Sequence, residues 1–159
     1  IPRWNSPLTP ANFISLCIAG GALMAGQTTA AIILLAIAGG IQVATWLRGD
    51  TAFENNPTNM ATATGLGSIG TVRAFEPPHT GTNYLLREFV HEIGRKHAQK
   101  LRIIAIALMA VLPIIFLLLP FNHFMALLAV VAHIAGVLTA RWLFFAEAEH
   151  VVGLYYGKR

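Results

Sequence analysis

Charge is what this sequence has least of. Only 11% of its 159 residues are Asp, Glu, Lys or Arg, while 55% are hydrophobic. Soluble domains carry about 25% charged residues. A chain this apolar has too little polar surface to cover itself in water, which excludes an ordinary soluble domain, and no nucleic-acid partner is expected. Cysteine is almost absent. The single Cys17 makes neither an internal disulfide nor a Cys-rich metal site. Lying inside an apolar block, it reads as a small buried apolar residue. There is no H-E-x-x-H and no Cys/His cluster, so no zinc or other metal site is expected. There is no signal-peptide pattern either, because Ile1 to Pro10 is polar and proline-rich. The chain opens on Ile1 rather than Met, which reads as a processed chain or an internal fragment. Internal repeats and low-complexity tracts are also missing.

What is present is a set of long apolar blocks. Mean hydropathy is +0.61, and the apolar residues gather in runs of about the 20 residues that a helix needs to cross a bilayer. The sequence therefore predicts an all-α fold: an integral membrane helical bundle with four transmembrane helices plus one amphipathic surface helix. The first span runs from about Pro10 to Gly26, with Thr9 as N-cap and Pro10 at the first helical position. The second runs from about Thr28 to Leu47 and ends at Arg48. A tight turn at Gly26-Gln27-Thr28 makes these two antiparallel neighbours. Gly21 with Ala25, Ala22 with Gly26, and Ala36 with Gly40 place small residues four apart, the spacing that lets helices approach closely in lipid. The third span runs from about Leu101 to Leu119, kinked at Pro113 and ended by Pro120. The fourth starts at Asn122, a good N-cap, and reaches at least Phe145. The chain so divides into 1–48, a first helix pair; 49–100, a basic loop with an amphipathic helix over about 83–100; and 101–159, a second helix pair and short tail.

The middle segment carries most of the charge. Its first half is rich in Gly, Asn, Thr and Pro and reads as loop. From Asn83 to Lys100, Leu86, Phe89 or Val90, Ile93 and His97 recur at helical steps, beside Arg87, Glu88, Glu92, Arg95 and Lys96. That pattern is an amphipathic helix, lying on the membrane surface or docking a partner. Seven of the eleven Lys and Arg residues fall between Arg48 and Arg102. The positive-inside rule then puts this segment, and both termini of the chain, in the cytoplasm. A basic face that docks an acidic partner has the same composition.

Few residues offer chemistry. Gly65-Leu66-Gly67-Ser68-Ile69-Gly70 matches G-x-G-x-x-G, but neither the strand before nor the helix after that a dinucleotide site requires is in the pattern. It reads as a glycine-rich turn. The first three spans contain no histidine, so a pair of axial haem ligands on facing helices is not available; only His133 lies well inside a span. His133 and Arg141 are the costly intramembrane residues. Such groups face a bundle interior or mark a pathway, although Arg141 is near enough to the span's end to snorkel. Glu147 and His150 are three apart, so they share a helix face. His133, Arg141, Glu147 and His150 are thus candidates to bind a quinol hydroxyl or relay a proton. Trp142, Tyr155 and Tyr156 beside them equally fit an interfacial aromatic belt.

Several stretches resemble a known family. They are Pro2-Arg3-Trp4-Asn5-Ser6-Pro7-Leu8-Thr9-Pro10, Val72-Arg73-Ala74-Phe75-Glu76-Pro77-Pro78-His79-Thr80, Asn83-Tyr84-Leu85-Leu86-Arg87-Glu88, Arg95-Lys96-His97-Ala98-Gln99-Lys100-Leu101-Arg102 and Arg141-Trp142-Leu143-Phe144-Phe145. Together they resemble the DmsC-family membrane anchor subunit of anaerobic dimethyl sulfoxide reductase-type complexes, in its C-terminal half. The resemblance implies the last four of eight transmembrane helices in a bacterial inner-membrane protein, with no cofactor bound by this chain. It implies an iron–sulfur subunit and a molybdopterin catalytic subunit as partners, and menaquinol as the electron donor. The family's quinol residues are placed mainly in the other half. The family's usual topology puts both termini in the periplasm, opposite to the charge rule.

Three functions follow as expectations. The first is a quinol-oxidising membrane anchor of a respiratory molybdoenzyme, docking its iron–sulfur subunit through Arg73, His79, Arg87, Arg95 and Lys96. The second is half of a secondary transporter or permease, suggested by intramembrane His133 and Arg141 and the Pro113 kink. The third is an assembly subunit without a quinone site.

Overall fold

A computed structural model describes residues 1–73, 75–76, 81, 96–120 and 122–149. It is all-helical, with no strand among the described residues. Four long helices build it: α1 (Leu8–Met24), α2 (Thr28–Ala52), α4 (Ala98–Leu118) and α5 (His123–Ala146). A short α3 (Met60–Thr64) lies between α2 and α4. The helices α2, α4 and α5 are long and apolar enough to cross a membrane, and α1 is a shorter apolar helix of 17 residues. This is a multi-pass helical membrane bundle. Each long helix packs on two others, α1 on α2, α2 on α4, α4 on α5 and α5 back on α1, so the four close a ring.

Local chemistry explains the boundaries. α1 begins at Leu8, two residues earlier than the Thr9-Pro10 reading, and takes no side-chain cap. Pro10 is still harmless there, because first-turn N–H groups have no partner inside the helix. α1 ends in a Schellman turn: Gln27 N–H donates to Ala22 O at 3.0 Å and Gly26 N–H to Leu23 O at 3.1 Å. Gly26 takes φ 69° for it, a conformation glycine reaches without strain. α5 starts at the expected cap, with Asn122 Oδ1 accepting from Met125 N–H at 2.8 Å. α2 runs past Arg48 to Ala52. In the stretch read as loop, Asn59 and Thr62 form a reciprocal capping box that starts α3. Gly65 ends α3 at φ 70°, and Gly67 packs on Ala61. The G-x-G-x-x-G stretch is therefore turn, with no strand before it.

The core is narrow and made of small and aliphatic side chains. Asn12, Leu16, Ala19 and Leu23 of α1 face Ala31, Leu35, Ala38, Gln42 and Trp46 of α2. Ala105, Met109 and Ala110 of α4 face Ala129, Ala140 and Leu143 of α5. The small-residue pairs read from sequence are largely on the wrong face, with Ala22 alone of them packed against the core. Gly21, Ala25, Gly26, Ala36 and Gly40 are exposed, and a Cβ on Gly21 or Gly40 would meet nothing within 4 Å. The close approaches use Gly39, against Ala110, and Gly136, against the backbone of Met109. Small residues occur on every face of these helices, so four-residue spacing alone does not select the packed one. Cys17 is exposed rather than buried, for the same reason of register.

Pro113 does not bend a plain α-helix. The turn before it, Ala107–Val111, is π-helical, with Leu112 N–H bonded back to Ala107 O. A π-turn relieves the clash and the missing donor that proline imposes.

Candidate functional site, an ion network at one end of the bundle

Four helices in a ring bring the start of α1, the end of α2, the start of α4 and the end of α5 to the same end. Each carries a charge there. The segment before α1 folds over this end through Trp4, whose indole N–H donates to Phe144 O at 3.1 Å. The Phe144 carbonyl is one of the last four of α5, which have no partner inside the helix. The Trp4 ring stacks on Phe144 with centroids 4.7 Å apart and planes within 5°. That holds Arg3 in place.

Arg102 is the hub. Its Nε donates to Glu147 Oε1 at 2.7 Å, and its Nη1 and Nη2 donate to Asp50 Oδ2 at 2.8 Å and Oδ1 at 2.6 Å. Its guanidinium also stands 5.5 Å from the centre of the Trp46 ring. Arg3 donates to Asp50 Oδ1 at 3.1 Å and approaches Glu147 Oε2 at 3.8 Å, beyond hydrogen-bond reach. Two arginines and two carboxylates thus close a ring that ties all four helix ends together. Glu147 is only 5% exposed and Asp50 37%. The fork of Arg102 on Asp50 is the bidentate geometry that makes Arg–carboxylate pairs directional.

Beneath the ring is a small chamber of about 20 Å³, where Arg3, Asn12, Gln42, Arg141 and Glu147 meet the apolar surfaces of Trp4, Trp46 and Phe144. Asn12 Nδ2 donates to Gln42 Oε1 at 2.9 Å, joining α1 to α2 inside the bundle. Arg141 points inward and does not snorkel: its Cζ is 3.7 Å from the centre of the Phe13 ring. On the outer side of Arg102 an open groove of about 400 Å³ runs between α2 and α4. Val43, Leu47, Ile103, Ile106 and Val111 wall it; Trp46, Gln99 and Arg102 mark its polar end.

Of the sequence candidates, the structure brings Arg141 and Glu147 to one chamber. His133 is elsewhere, buried in the middle of α5 with Nδ1 2.6 Å from Met109 O. A carbonyl only accepts, so Nδ1 carries the proton. Arg73 and Lys96 are exposed. His79, Arg87, Arg95 and His150, with most of the expected amphipathic helix and Tyr155 and Tyr156, lie outside the described residues. α5 ends at Ala146 with Glu147 as its C-cap, and the helix face expected for Glu147 with His150 lies outside the described residues. Ala148 N–H turns back to Phe145 O at 3.1 Å, tightening the last turn. Among the described residues no group of three His, Cys, Asp or Glu side chains could hold a metal ion. Sequence reasoning missed Arg3, Asn12, Gln42 and Asp50, and took Arg102 only as a flanking charge. The signal was available: Arg3, Asp50, Arg102 and Glu147 each flank a different span, at ends that antiparallel spans must bring together.

No protein-family model and no solved structure matches the chain. The chain is similar to a sulfite dehydrogenase subunit from Allochromatium vinosum, at 28% identity over 171 aligned residues covering 98% of this chain and 52% of that protein. It therefore spans about half the length of the curated relative it matches.

Proposed function

We propose that this chain is a membrane subunit of a respiratory oxidoreductase complex, of the quinol-oxidising anchor type. The observation that carries this reading is the end-to-end likeness, over 98% of the chain, to a subunit of a sulfite dehydrogenase. In this reading the chain passes electrons from menaquinol to an iron–sulfur subunit, which feeds a molybdopterin catalytic subunit. The chain itself binds no cofactor. The geometry supports it in two ways. A lipid-open apolar groove suits a lipid-soluble ring, since ligand pockets are typically about 300–1,000 Å³ and mostly apolar with a few polar groups. At its polar end Arg102 has five N–H donors, of which three serve Asp50 and Glu147. The others and the Gln99 amide are available to quinol oxygens.

Affinity purification of the full-length protein in mild detergent, with mass spectrometry of what co-elutes, tests the anchor. An iron–sulfur and a molybdopterin subunit in the eluate support it. A chain that purifies alone from cells expressing its neighbours, and that takes up solute in proteoliposomes, points to a permease.

A further inference from the structure

Several residues that line the chamber under the ion network carry polar atoms that find no partner among the described residues. Glu147 Oε2, Asn12 Oδ1, Arg141 Nη1 and Nη2, and Arg3 Nε and Nη1 are all buried without a hydrogen bond. Glu147 and Asn12 are themselves more than nine-tenths buried. These atoms all belong to residues that line the chamber, and buried polar groups in native proteins are nearly always satisfied.

The size and chemistry of the space identify its occupant. At about 20 Å³ the chamber is too small for a ring or a lipid headgroup and large enough for one water, which needs roughly 10–15 Å³ by this measure. The charges around it are Arg3, Arg102 and Arg141 against Asp50 and Glu147, a surplus of one positive charge that alone would favour a small anion. The acceptors argue otherwise. Glu147 Oε2 and Asn12 Oδ1 both require a donor, and an anion has none to give. A water donates to both and accepts from Arg141 or Arg3.

We infer that the chamber is a binding site for one buried water, which bridges Glu147 Oε2 and Asn12 Oδ1 and accepts from the Arg141 guanidinium. The water ties Arg141 into the ion ring without a counter-charge of its own. It is also within reach of Arg3 Nη1, which stands 3.8 Å from Glu147 Oε2, too far for a direct hydrogen bond. Arg141 then acts as a positioning residue: through the water it sets the carboxylate that Arg102 holds from the other side. The water site is independent of the ligand of the outer groove and of the partners of the chain.

A high-resolution experimental map of the full-length protein, collected with and without bromide in place of chloride, tests it directly. A solvent peak within hydrogen-bond distance of Glu147 and of Asn12 or Arg141, unchanged by bromide, is the expected result. An empty chamber, or a bromide signal inside it, overturns the inference. Thermal unfolding of Arg141→Met, Asn12→Leu and the double variant gives a second reading. No direct hydrogen bond links these two side chains, so a shared water predicts a double variant less destabilised than the sum of the single shifts. Additive shifts overturn the inference, since independent sites add.

Discussion

His133 Nδ1 donates to the carbonyl of Met109, 2.6 Å away, and Met109 is the residue whose i+4 partner is Pro113. Proline has no N–H. The carbonyl that the proline leaves without its usual donor is the one that the histidine reaches. An intramembrane histidine and a helix-breaking proline on separate helices are therefore one device, and the π-turn at Ala107–Val111 lies between them.

Replacing His133 with Leu removes the donor and leaves a buried carbonyl unpaired. Hydrogen bonds inside membrane proteins average about 0.6 kcal/mol and reach about 1.7, so a loss of about 1 kcal/mol is expected. Pro113→Ala restores an N–H to α4, so His133→Leu should cost much less in that background. A double-variant cycle by thermal unfolding in detergent measures this. Equal costs of His133→Leu with and without Pro113 would show that the histidine serves some other group.

The ion network predicts unequal costs for its members. Glu147 is 5% exposed and takes its shortest bond from Arg102, so Arg102→Met strands a buried carboxylate. Breaking a buried pair from one side costs about 3–5 kcal/mol. Asp50 is 37% exposed, and solvent screens it. Asp50→Asn should cost at most about 1 kcal/mol, the range of exposed ion pairs. Adding Glu147→Gln to Arg102→Met should recover part of the loss. Unfolding midpoints at low and high salt separate the two, with salt affecting the Asp50 variant's difference more. Equal losses for Arg102→Met and Asp50→Asn would mean the network is wetter than its burial indicates.

Close helix contact predicts a contrast between two glycines. A Cβ at Gly136 would clash with Met109 N and sit 2.6 Å from its Cα, backbone atoms that move only if α4 and α5 separate. Overpacking of this kind costs about 1–3 kcal/mol or more. A Cβ at Gly21 meets nothing within 4 Å. Gly136→Ala should lower the unfolding midpoint, and Gly21→Ala should leave it unchanged or raise it, alanine being the better helix former by about 1 kcal/mol. Matching effects would refute the assignment of the packed face.

Much of this fold was legible because membrane spans are a matter of length and apolarity. The Gly26 turn, the Asn122 cap and the disturbance at Pro113 each rest on local backbone chemistry that sequence carries. The packed faces were not legible. In lipid, outward and inward residues are equally apolar, so Gly40 and Gly39 read alike, and the symmetry is broken by buried polar residues such as Asn12, Gln42 and His133. The candidate site was half legible: Arg141 stood out as a costly intramembrane charge and Glu147 as a quinol or proton-relay candidate, whereas nothing marked Arg3, Asp50 and Arg102 as a network. Their role appears only when antiparallel packing is applied to all four span ends at once.

The same placement of charges sharpens the docking hypothesis for the middle segment. Seven basic residues lie from Arg48 to Arg102, but Arg102 is consumed by Asp50 and Glu147. Lys96 is exposed just ahead of α4 and takes no part in the network. A charge change there leaves the bundle intact. Reversing Arg95 and Lys96 together to Glu should therefore release the proposed iron–sulfur partner from the membrane while this chain keeps its abundance and unfolding midpoint. Fractionation with immunoblotting of both proteins checks it. Release with an intact bundle identifies a docking face. Full retention of the partner with the reversed charges would move docking to another surface, and would leave the anchor reading to stand on co-purification alone.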